Sequence, residues 1–291
     1  MGVGIGASGS LTEFGITYRQ IPLDNGRVDI DSVKQAFHAK TKMIAIQRSR
    51  GYDQRPSLTI AEIQGIITTI RSWDSNVVIF VDNCYGEFVE TKEPTDVGAD
   101  LIAGSLIKNP GGGIVRTGGY IVGKQSFIES CANRLTAPGI GKEIGASIGM
   151  LQEMFQGFFL APHVVSEALK GAIFTSAVLE HFGYQTDPAP HDKRTDLIQS
   201  VTFNTSDEMI QFCQSVQRHS PINAHVVPYP APMPGYTDKV IMAAGTFIQG
   251  ASLELTADGP IRPPYTAYIQ GGLTYMHVKI AITEAIKELF T

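Results

Sequence analysis

Residues 76–82 read NVVIFVD, a continuous run of mainly apolar residues that ends in an acid. Such a run is typical of a strand buried on both faces, as in a parallel sheet. TKMIAIQ at residues 41–47 is a second strand of this type. Between the two, Thr59 and Glu62 stand at capping-box spacing before the amphipathic helix IQGIITTIRSW. The strand–helix–strand order therefore predicts a parallel βαβ unit.

The same alternation extends in both directions along the chain. The further predicted elements are a strand at 15–22, a short helix from 29 that Asp31 could cap, strands at 100–105 and 118–123, and a helix from 124. The first half is therefore an α/β unit with a mostly parallel sheet.

A change of pattern marks the second half. Residues 141–183 are predicted to be helical with a break at Pro162, and short strands and single helices follow. We therefore predict a large domain over 1–159 and a smaller α+β domain over 160–291.

Composition excludes several classes of protein. The chain has 291 residues, 43% hydrophobic and 18% charged, with a net charge of -5. This describes a globular protein without a basic surface for nucleic acid or an anionic membrane, so a small molecule is the expected ligand. The three cysteines are odd in number and widely spaced, and the seven histidines show no ligand spacing. We predict a cytoplasmic protein with neither a disulfide framework nor a metal site.

Lys108 is the candidate reactive residue, in the stretch IAGSLIKNPGGG at 102–113. In an open parallel sheet, ligands bind beyond the carboxyl ends of the strands, where Asp82 and Lys108 are both predicted to lie. A lysine in a turn is commonly a surface residue, but it can also form a Schiff base with an aldehyde. Pyridoxal phosphate needs such a lysine, an acid for its ring nitrogen and donors for its phosphate, which Asp82 and Ser105 could supply. The glycines after Lys108 are expected to leave room for cofactor and substrate.

Several stretches resemble a known family. VDNCYGEF, AGSLIKNPGGG and GGYIVG are similar to the aspartate, the S-x-x-K segment and the following strand of the fold-type I pyridoxal phosphate enzymes of cysteine and methionine metabolism. With QRSRGYDQRPSLT, RLTAPGIGKEIG, APHVVSEALKGAIF and QGASLELTADGPIRPPY, they resemble the aluminium resistance proteins, a family similar to methionine gamma-lyase and cystathionine beta-lyase. The resemblance covers nearly the whole chain.

The resemblance implies roles for particular residues. Lys108 is implied to be the Schiff-base lysine and the general base, Asp82 the partner of the pyridinium nitrogen, and Ser105 a phosphate ligand. Arg48, Ser49 and Arg50 end a strand where related enzymes contact the cofactor ring and substrate; the alternative is that they are solvated charges on a loop. Arg262 resembles the arginine that binds the substrate carboxylate, with Arg50 as the competing candidate.

The resemblance also implies an activity and an assembly. It implies a pyridoxal phosphate-dependent lyase of a sulfur-containing amino acid, by beta- or gamma-elimination, in a homodimer or homotetramer. The alternatives are a transaminase or other enzyme of this coenzyme, or a catalytically silent fragment that acts as a binding protein. Family members carry a further N-terminal portion with a phosphate-binding turn and a ring-stacking aromatic, so the large domain is expected to be incomplete here.

Two other features are interpreted as structural rather than functional. Gly4, Gly6 and Gly9 match G-x-G-x-x-G, but only three residues precede Gly4, so no strand can aim a dinucleotide site and we interpret the segment as a linker. Cys84, two residues after Asp82, is interpreted as a small buried thiol.

Overall fold

Two β-sheets with flanking helices make up the described part of the chain, residues 9–145, 147–243 and 253–291 of a computed structural model. The helices are α1 (Ile30–Ala36), α2 (Ile60–Trp73), α3 (Gln125–Leu135), α4 (Leu151–His181), α5 (Ser206–Arg218) and α6 (Tyr275–Leu289). The strands are β1 (Met43–Gln47), β2 (Val78–Asp82), β3 (Leu101–Ser105), β4 (Gly119–Gly123), β5 (Gln185–Asp187), β6 (Gln199–Thr202), β7 (Val240–Ala243), β8 (Thr256–Pro260) and β9 (Thr266–Gln270). The predicted linker at Gly4 and Gly6 lies outside the described residues.

The first sheet has the order β1-β2-β3-β4. Strands β1, β2 and β3 are parallel, and β4 is antiparallel to β3. The chain between β3 and β4 contains only the short 3-10 turn Asn109–Gly111, so it returns without the helix of a parallel crossover. The prediction of an α/β unit with a mostly parallel sheet is confirmed.

Helix α2 covers this sheet as the capping-box pattern predicts. The Thr59 hydroxyl accepts the N–H of Glu62 at 3.2 Å, and the Glu62 carboxylate accepts the N–H of Thr59 at 2.8 Å. Ile63 and Ile70 of the helix are fully buried and share one hydrophobic core with Ile79 of β2. The apolar stripe therefore fixes α2 on the sheet.

Two predictions near the N-terminus are wrong. Residues 15–22 form no strand, because no neighbouring strand within the described residues pairs with them, and Ile16 is half exposed. Helix α1 is capped by Asp29 rather than Asp31. The Asp29 carboxylate accepts the backbone N–H groups of Asp31 and Ser32 at 3.0 and 3.1 Å.

Helix α4 also differs from its prediction. It begins at residue 151, ten residues later than expected, and runs through Pro162 without a break. Val165 and Ala168, just beyond the proline, are almost fully buried, so packing outweighs the lost backbone hydrogen bond. The domain boundary at 159/160 falls inside α4 and stays a prediction. Among the described helices, none is long and apolar enough to cross a bilayer.

The second sheet is antiparallel throughout, in the order β5-β6-β9-β8-β7. Helices α5 and α6 pack together with it around a core that includes Phe212, Ile241 and Ile282, each 0% exposed.

The loop after β1 joins the two sheets. The Tyr52 hydroxyl donates to the Asp258 carboxylate of β8 at 2.9 Å, and the Gln54 amide donates to the Thr266 hydroxyl of β9 at 3.0 Å. Complete burial raises the pKa of Asp258 to about 7. The carboxyl edge of the first sheet therefore faces the second sheet across this loop.

Candidate active site

Three neighbouring chain segments meet at the carboxyl edge of the first sheet. Asp82 ends β2 and Ser105 ends the adjacent parallel strand β3. Arg48 directly follows β1, and its backbone N–H donates to the Asp82 carbonyl at 3.0 Å. The predicted residues after β1, β2 and β3 are therefore neighbours, as parallel pairing requires.

Lys108 lies in the turn that follows β3. Its amine is 4.3 Å from the centroid of the Tyr85 ring, a cation–π distance. Burial lowers the pKa of Lys108, but Tyr85, Cys84 and Asp82 outweigh it, and the net pKa is above its ordinary value. Asp82 therefore acts electrostatically on Lys108. Within the described residues, Lys108 takes part in none of the ion pairs.

The glycines after Lys108 have a packing role. A Cβ on Gly112 would lie 2.3 Å from the carbonyl oxygen of Gly157 on α4, and a Cβ on Gly113 would lie 2.3 Å from the Leu273 side chain. Gly112 also has a positive φ of 56°. Gly112 and Gly113 were expected to leave space for a ligand. In the structure they contact α4 and Leu273 instead, and these contacts hold the Lys108 turn in place.

The side chains of Asp82 and Ser105 each accept a backbone hydrogen bond and keep further hydrogen-bonding capacity. One Asp82 carboxylate oxygen accepts the N–H of Cys84 at 3.2 Å. The Ser105 hydroxyl accepts the N–H of Ile107 at 3.4 Å, and the Ser105 carbonyl accepts the N–H of Lys108 at 3.3 Å. The Ser105 hydroxyl thus keeps its own hydrogen for another acceptor. Burial raises the pKa of Cys84 to about 11, so this partly exposed thiol stays protonated at neutral pH.

Arg48 is fully buried and held by several protein groups. Its guanidinium donates to the Asn83 amide oxygen at 2.8 Å and to the Glu93 carboxylate at 3.1 Å. It also reaches Glu90 at 3.4 Å and, in the second half of the chain, the Thr195 hydroxyl at 3.2 Å. Arg48 therefore ties the two halves of the chain together.

Ser49 and Arg50 are buried in the same way. The Ser49 hydroxyl donates to the Asp196 carboxylate at 2.7 Å. The Arg50 guanidinium contacts the Asp187 carboxylate and donates to the Asp187 carbonyl at 3.2 Å. Both residues are 3% exposed. The interpretation of Arg48, Ser49 and Arg50 as solvated loop charges is therefore wrong.

Arg262 is more exposed than the two buried arginines after β1, Arg48 and Arg50. Its side chain is half exposed, and its guanidinium is 3.4 Å from the Asp238 carboxylate. Burial raises the pKa of Tyr268 to about 12, while the positive charges of Arg50 and Arg262 oppose the rise. Arg50 and Arg262 therefore both act on Tyr268, and the structure brings the two carboxylate-binding candidates to one region.

A third arginine of this region, Arg194, was missed from the sequence. It is 9% exposed and donates to the Gln199 amide oxygen at 2.5 Å. Its Nε and Nη1 are buried and have no hydrogen-bond partner in the described part of the chain. Burial and, to a smaller degree, the charge of Arg50 lower the pKa of Arg194 to about 10, against the opposing effect of Asp196. No motif marks Arg194, because only folding brings it near Arg50.

Comparisons with known proteins identify relatives of the whole chain. A family model described as methionine gamma-lyase matches residues 1–290. The uncharacterized protein YnbB of Bacillus subtilis is 62% identical over 283 residues, which make up 97% of this chain and 67% of YnbB. A crystal structure from Listeria innocua, provisionally named a cystathionine beta-lyase involved in aluminium resistance, matches with a TM-score of 0.95. The two sequences are 61% identical, and the match covers 98% of this chain and 71% of the Listeria chain.

One solved structure of low sequence identity shares the fold alone. It is a Campylobacter jejuni protein, provisionally named an O-acetylhomoserine (thiol)-lyase, whose crystal structure contains a pyridoxyl-lysine phosphate group. The TM-score is 0.55 at 14% identity, over 98% of this chain and 72% of the other.

Proposed function

The chain belongs to the methionine gamma-lyase family, and we propose that it is a pyridoxal phosphate-dependent carbon–sulfur lyase of a sulfur-containing amino acid. One observation carries the proposal. The largely buried amine of Lys108 lies in the turn after β3, the carboxylate of Asp82 ends the adjacent strand β2, and Asp82 adds to the effect of Tyr85 and Cys84 in raising the pKa of Lys108. An amine and an acid at one sheet edge are what this coenzyme requires.

The residues of this edge fit the coenzyme in type and charge. Lys108 is partly buried and, among the described residues, takes part in none of the ion pairs, so its amine is not committed to a carboxylate of the protein. We propose that Lys108 holds the coenzyme aldehyde, Asp82 keeps its ring nitrogen protonated, and Ser105 donates to its phosphate. Ser49 was the other candidate for a contact to the coenzyme, but its hydroxyl already donates to Asp196 in a buried position, so we assign it no such contact.

On this proposal, the bound coenzyme supplies an electron-withdrawing ring that stabilises negative charge at the substrate α carbon. Lys108 contributes the base, because its amine accepts the α proton once it is free of the aldehyde. Asp82 contributes a fixed negative charge at the far side of the site. The bond from carbon to the sulfur substituent then breaks, and the overall reaction consumes one water and releases a thiol, ammonia and a keto acid.

The keto acid identifies the reaction. We expect the purified protein with added pyridoxal phosphate to release pyruvate from cystathionine, or 2-oxobutanoate and methanethiol from methionine, in the absence of any amino acceptor. Chromatographic assay of keto acid and thiol checks this. Turnover that requires an added keto acid would identify a transaminase instead. A protein that stays colourless and inactive with the coenzyme would support the binding-protein alternative.

The substrate carboxylate requires a guanidinium group, and four arginines compete for it. Arg48 is committed to protein acceptors, and Arg50 is paired with Asp187. Arg262 is half exposed, whereas Arg194 has two buried donors without partners within the described residues. We propose that Arg194 binds the carboxylate with support from Arg50, in preference to Arg262.

Exchange of Arg194 for glutamine tests this assignment. Loss of a charged hydrogen bond costs about 1.5–3 kcal/mol, so Arg194→Gln should raise the KM for the amino acid by about 10- to 150-fold. The matched variant Arg262→Gln removes an exposed pair worth at most about 1 kcal/mol and should change KM by about fivefold or less. Steady-state kinetics of both variants decide between them. A larger effect at Arg262 would return the carboxylate to that residue.

Assembly and location are also proposals. We propose a homodimer or homotetramer, supported by the exposed aromatic rings of Phe155 and Phe159 on α4, which are 72% and 82% exposed. Helix α4 contacts the Lys108 turn, so a subunit bound there would border the site. We propose a cytoplasmic location because Cys84, Cys131 and Cys213 are all free thiols.

A further inference from the structure

Glu87 is a buried acid near Lys108 that the proposed reaction does not use. It lies between β2 and β3 and is 4% exposed. One carboxylate oxygen accepts the Tyr120 hydroxyl at 2.6 Å. The other, Oε2, is buried and has no hydrogen-bond partner in the part of the chain that the structure describes. An unsatisfied buried carboxyl oxygen is unfavourable, and it calls for an explanation.

The backbone is shaped to admit this carboxyl group. A Cβ on Gly104 of β3 would lie 2.4 Å from the bonded oxygen of Glu87 and 2.7 Å from the Tyr120 hydroxyl oxygen. Gly104 and Tyr120 are direct partners in the pairing of β3 with β4. Only glycine therefore allows the Glu87–Tyr120 pair to lie against β3 at this point.

The turn that carries Lys108 is attached to the segment that carries Glu87. The amide of Asn109, the residue after Lys108, donates to the carbonyl oxygens of Tyr85 and Glu87, each at 3.0 Å. Asn109 is fully buried. The position of Lys108 is thus coupled to the backbone of Glu87, and the Lys108 charge acts on the Glu87 carboxyl group.

The charged and titratable groups around Glu87 come from three elements. Tyr120 faces it from β4, Lys108 from the turn after β3, and Cys84 and Glu93 from its own segment. Burial raises the pKa of Glu87 to about 7. The hydrogen bonds from Tyr120 and from the backbone of Glu87 oppose the rise, Glu93 adds to it, and Lys108 opposes it to a smaller degree. Glu87 is therefore largely neutral below about pH 7 and largely ionised above it.

We propose that Glu87 is a positioning residue whose buried carboxyl group gains or loses one proton and thereby adjusts, alongside Tyr85, Cys84 and Asp82, how readily the Lys108 amine gives up its own. This inference rests on the proposed role of Lys108. When Glu87 is ionised, its negative charge stabilises the Lys108 ammonium. When Glu87 is protonated, that stabilisation is absent and the free amine, the form that reacts with an aldehyde, is easier to reach. Glu87 itself contacts neither coenzyme nor substrate in this proposal.

The reactivity of Lys108 toward an acylating reagent tests the proposal without the coenzyme. Full-length protein stripped of bound carbonyl compounds is treated with acetic anhydride from pH 6 to 9, and acetylation at Lys108 is followed by mass spectrometry. We expect the rate ratio of Glu87→Gln to wild type to be near one at pH 6 and to rise severalfold by pH 9, because the ionised carboxylate of wild type stabilises the Lys108 ammonium. The midpoint of the rise should lie near the pKa of Glu87.

Two variants make the result specific. Tyr120→Phe removes a hydrogen bond that lowers the pKa of Glu87, so it should shift the Glu87-dependent step in the Lys108 profile to higher pH. Glu129→Gln, an exposed acid on α3, should leave the profile unchanged. A ratio of acetylation rates that does not vary with pH would overturn the proposal. If Glu87→Gln fails to fold, a step in the Lys108 pH profile that stays at the same pH in Tyr120→Phe would overturn it instead. Coenzyme capture by wild type is measured separately, so failure of the proposed function is distinguishable from failure of this inference.

Discussion

Lys108→Ala should abolish covalent capture of pyridoxal phosphate and lower keto-acid release by at least about 10²- to 10⁴-fold, the contribution of a positioned base. The reason is that the variant loses both the amine that holds the aldehyde and the base for the α proton. Lys108 lies in the turn after β3, and Asp82, at the end of β2, acts electrostatically on its amine. The measurements are visible absorption with added coenzyme, borohydride reduction followed by peptide mapping, and the keto-acid assay.

A control substitution at another lysine separates the loss of coenzyme capture and activity from a general effect of removing a positive charge. Lys142→Ala removes an exposed lysine before α4 and should keep both the absorption band and the activity. Lys108→Arg keeps the positive charge but presents no amine to an aldehyde at neutral pH, so it should fail like Lys108→Ala. A Lys108→Ala protein that still yields a modified lysine after reduction would show that another residue holds the coenzyme.

Arg48→Ala should lower the free energy of unfolding by about 3–5 kcal/mol, the usual result of removing one partner from a buried ionic network. The Arg48 side chain is 0% exposed and contacts Glu90 and Glu93. Without it, the buried amide oxygen of Asn83 loses its donor, and Glu90 and Glu93 lose a cationic partner while they keep their other hydrogen bonds. Denaturation in urea, followed by far-ultraviolet circular dichroism, measures the change.

An exposed arginine is the control for this stability effect. Arg116 forms a two-point contact with Glu153, but its side chain is 63% exposed. Arg116→Ala should therefore cost at most about 1 kcal/mol. A similarly small loss for Arg48→Ala would contradict the structural role and make Arg48 available again as a ligand for the substrate.

Local patterns determined much of the first sheet. Apolar runs placed β1, β2 and β3, because strands buried on both faces need continuous hydrophobic side chains. The spacing of Thr59 and Glu62 placed the start of α2, because a capping box satisfies backbone groups only a few residues apart. The positions of Asp82 and Lys108 after strand ends followed from the same runs. Family resemblance, rather than any local pattern, suggested their chemistry.

Other features depended on contacts between residues far apart in the chain. Pro162 was predicted to break a helix, but α4 continues through it because the residues beyond it are buried. Arg48 and Arg50 follow a strand, as loop charges commonly do, yet their partners Thr195 and Asp187 lie in the second half of the chain. No window of sequence contains both members of these pairs.

The sequence by itself thus determined the order of β1, α2, β2, β3 and β4 and the place of Lys108 after β3, because strand burial and helix capping are encoded over short stretches. Only the tertiary structure decided which arginines are buried, that Arg194 has unpaired donors, and that Glu87 lies near Lys108. The physical reason is that burial and charge interactions depend on distances in space, which the fold sets between segments that are remote in sequence.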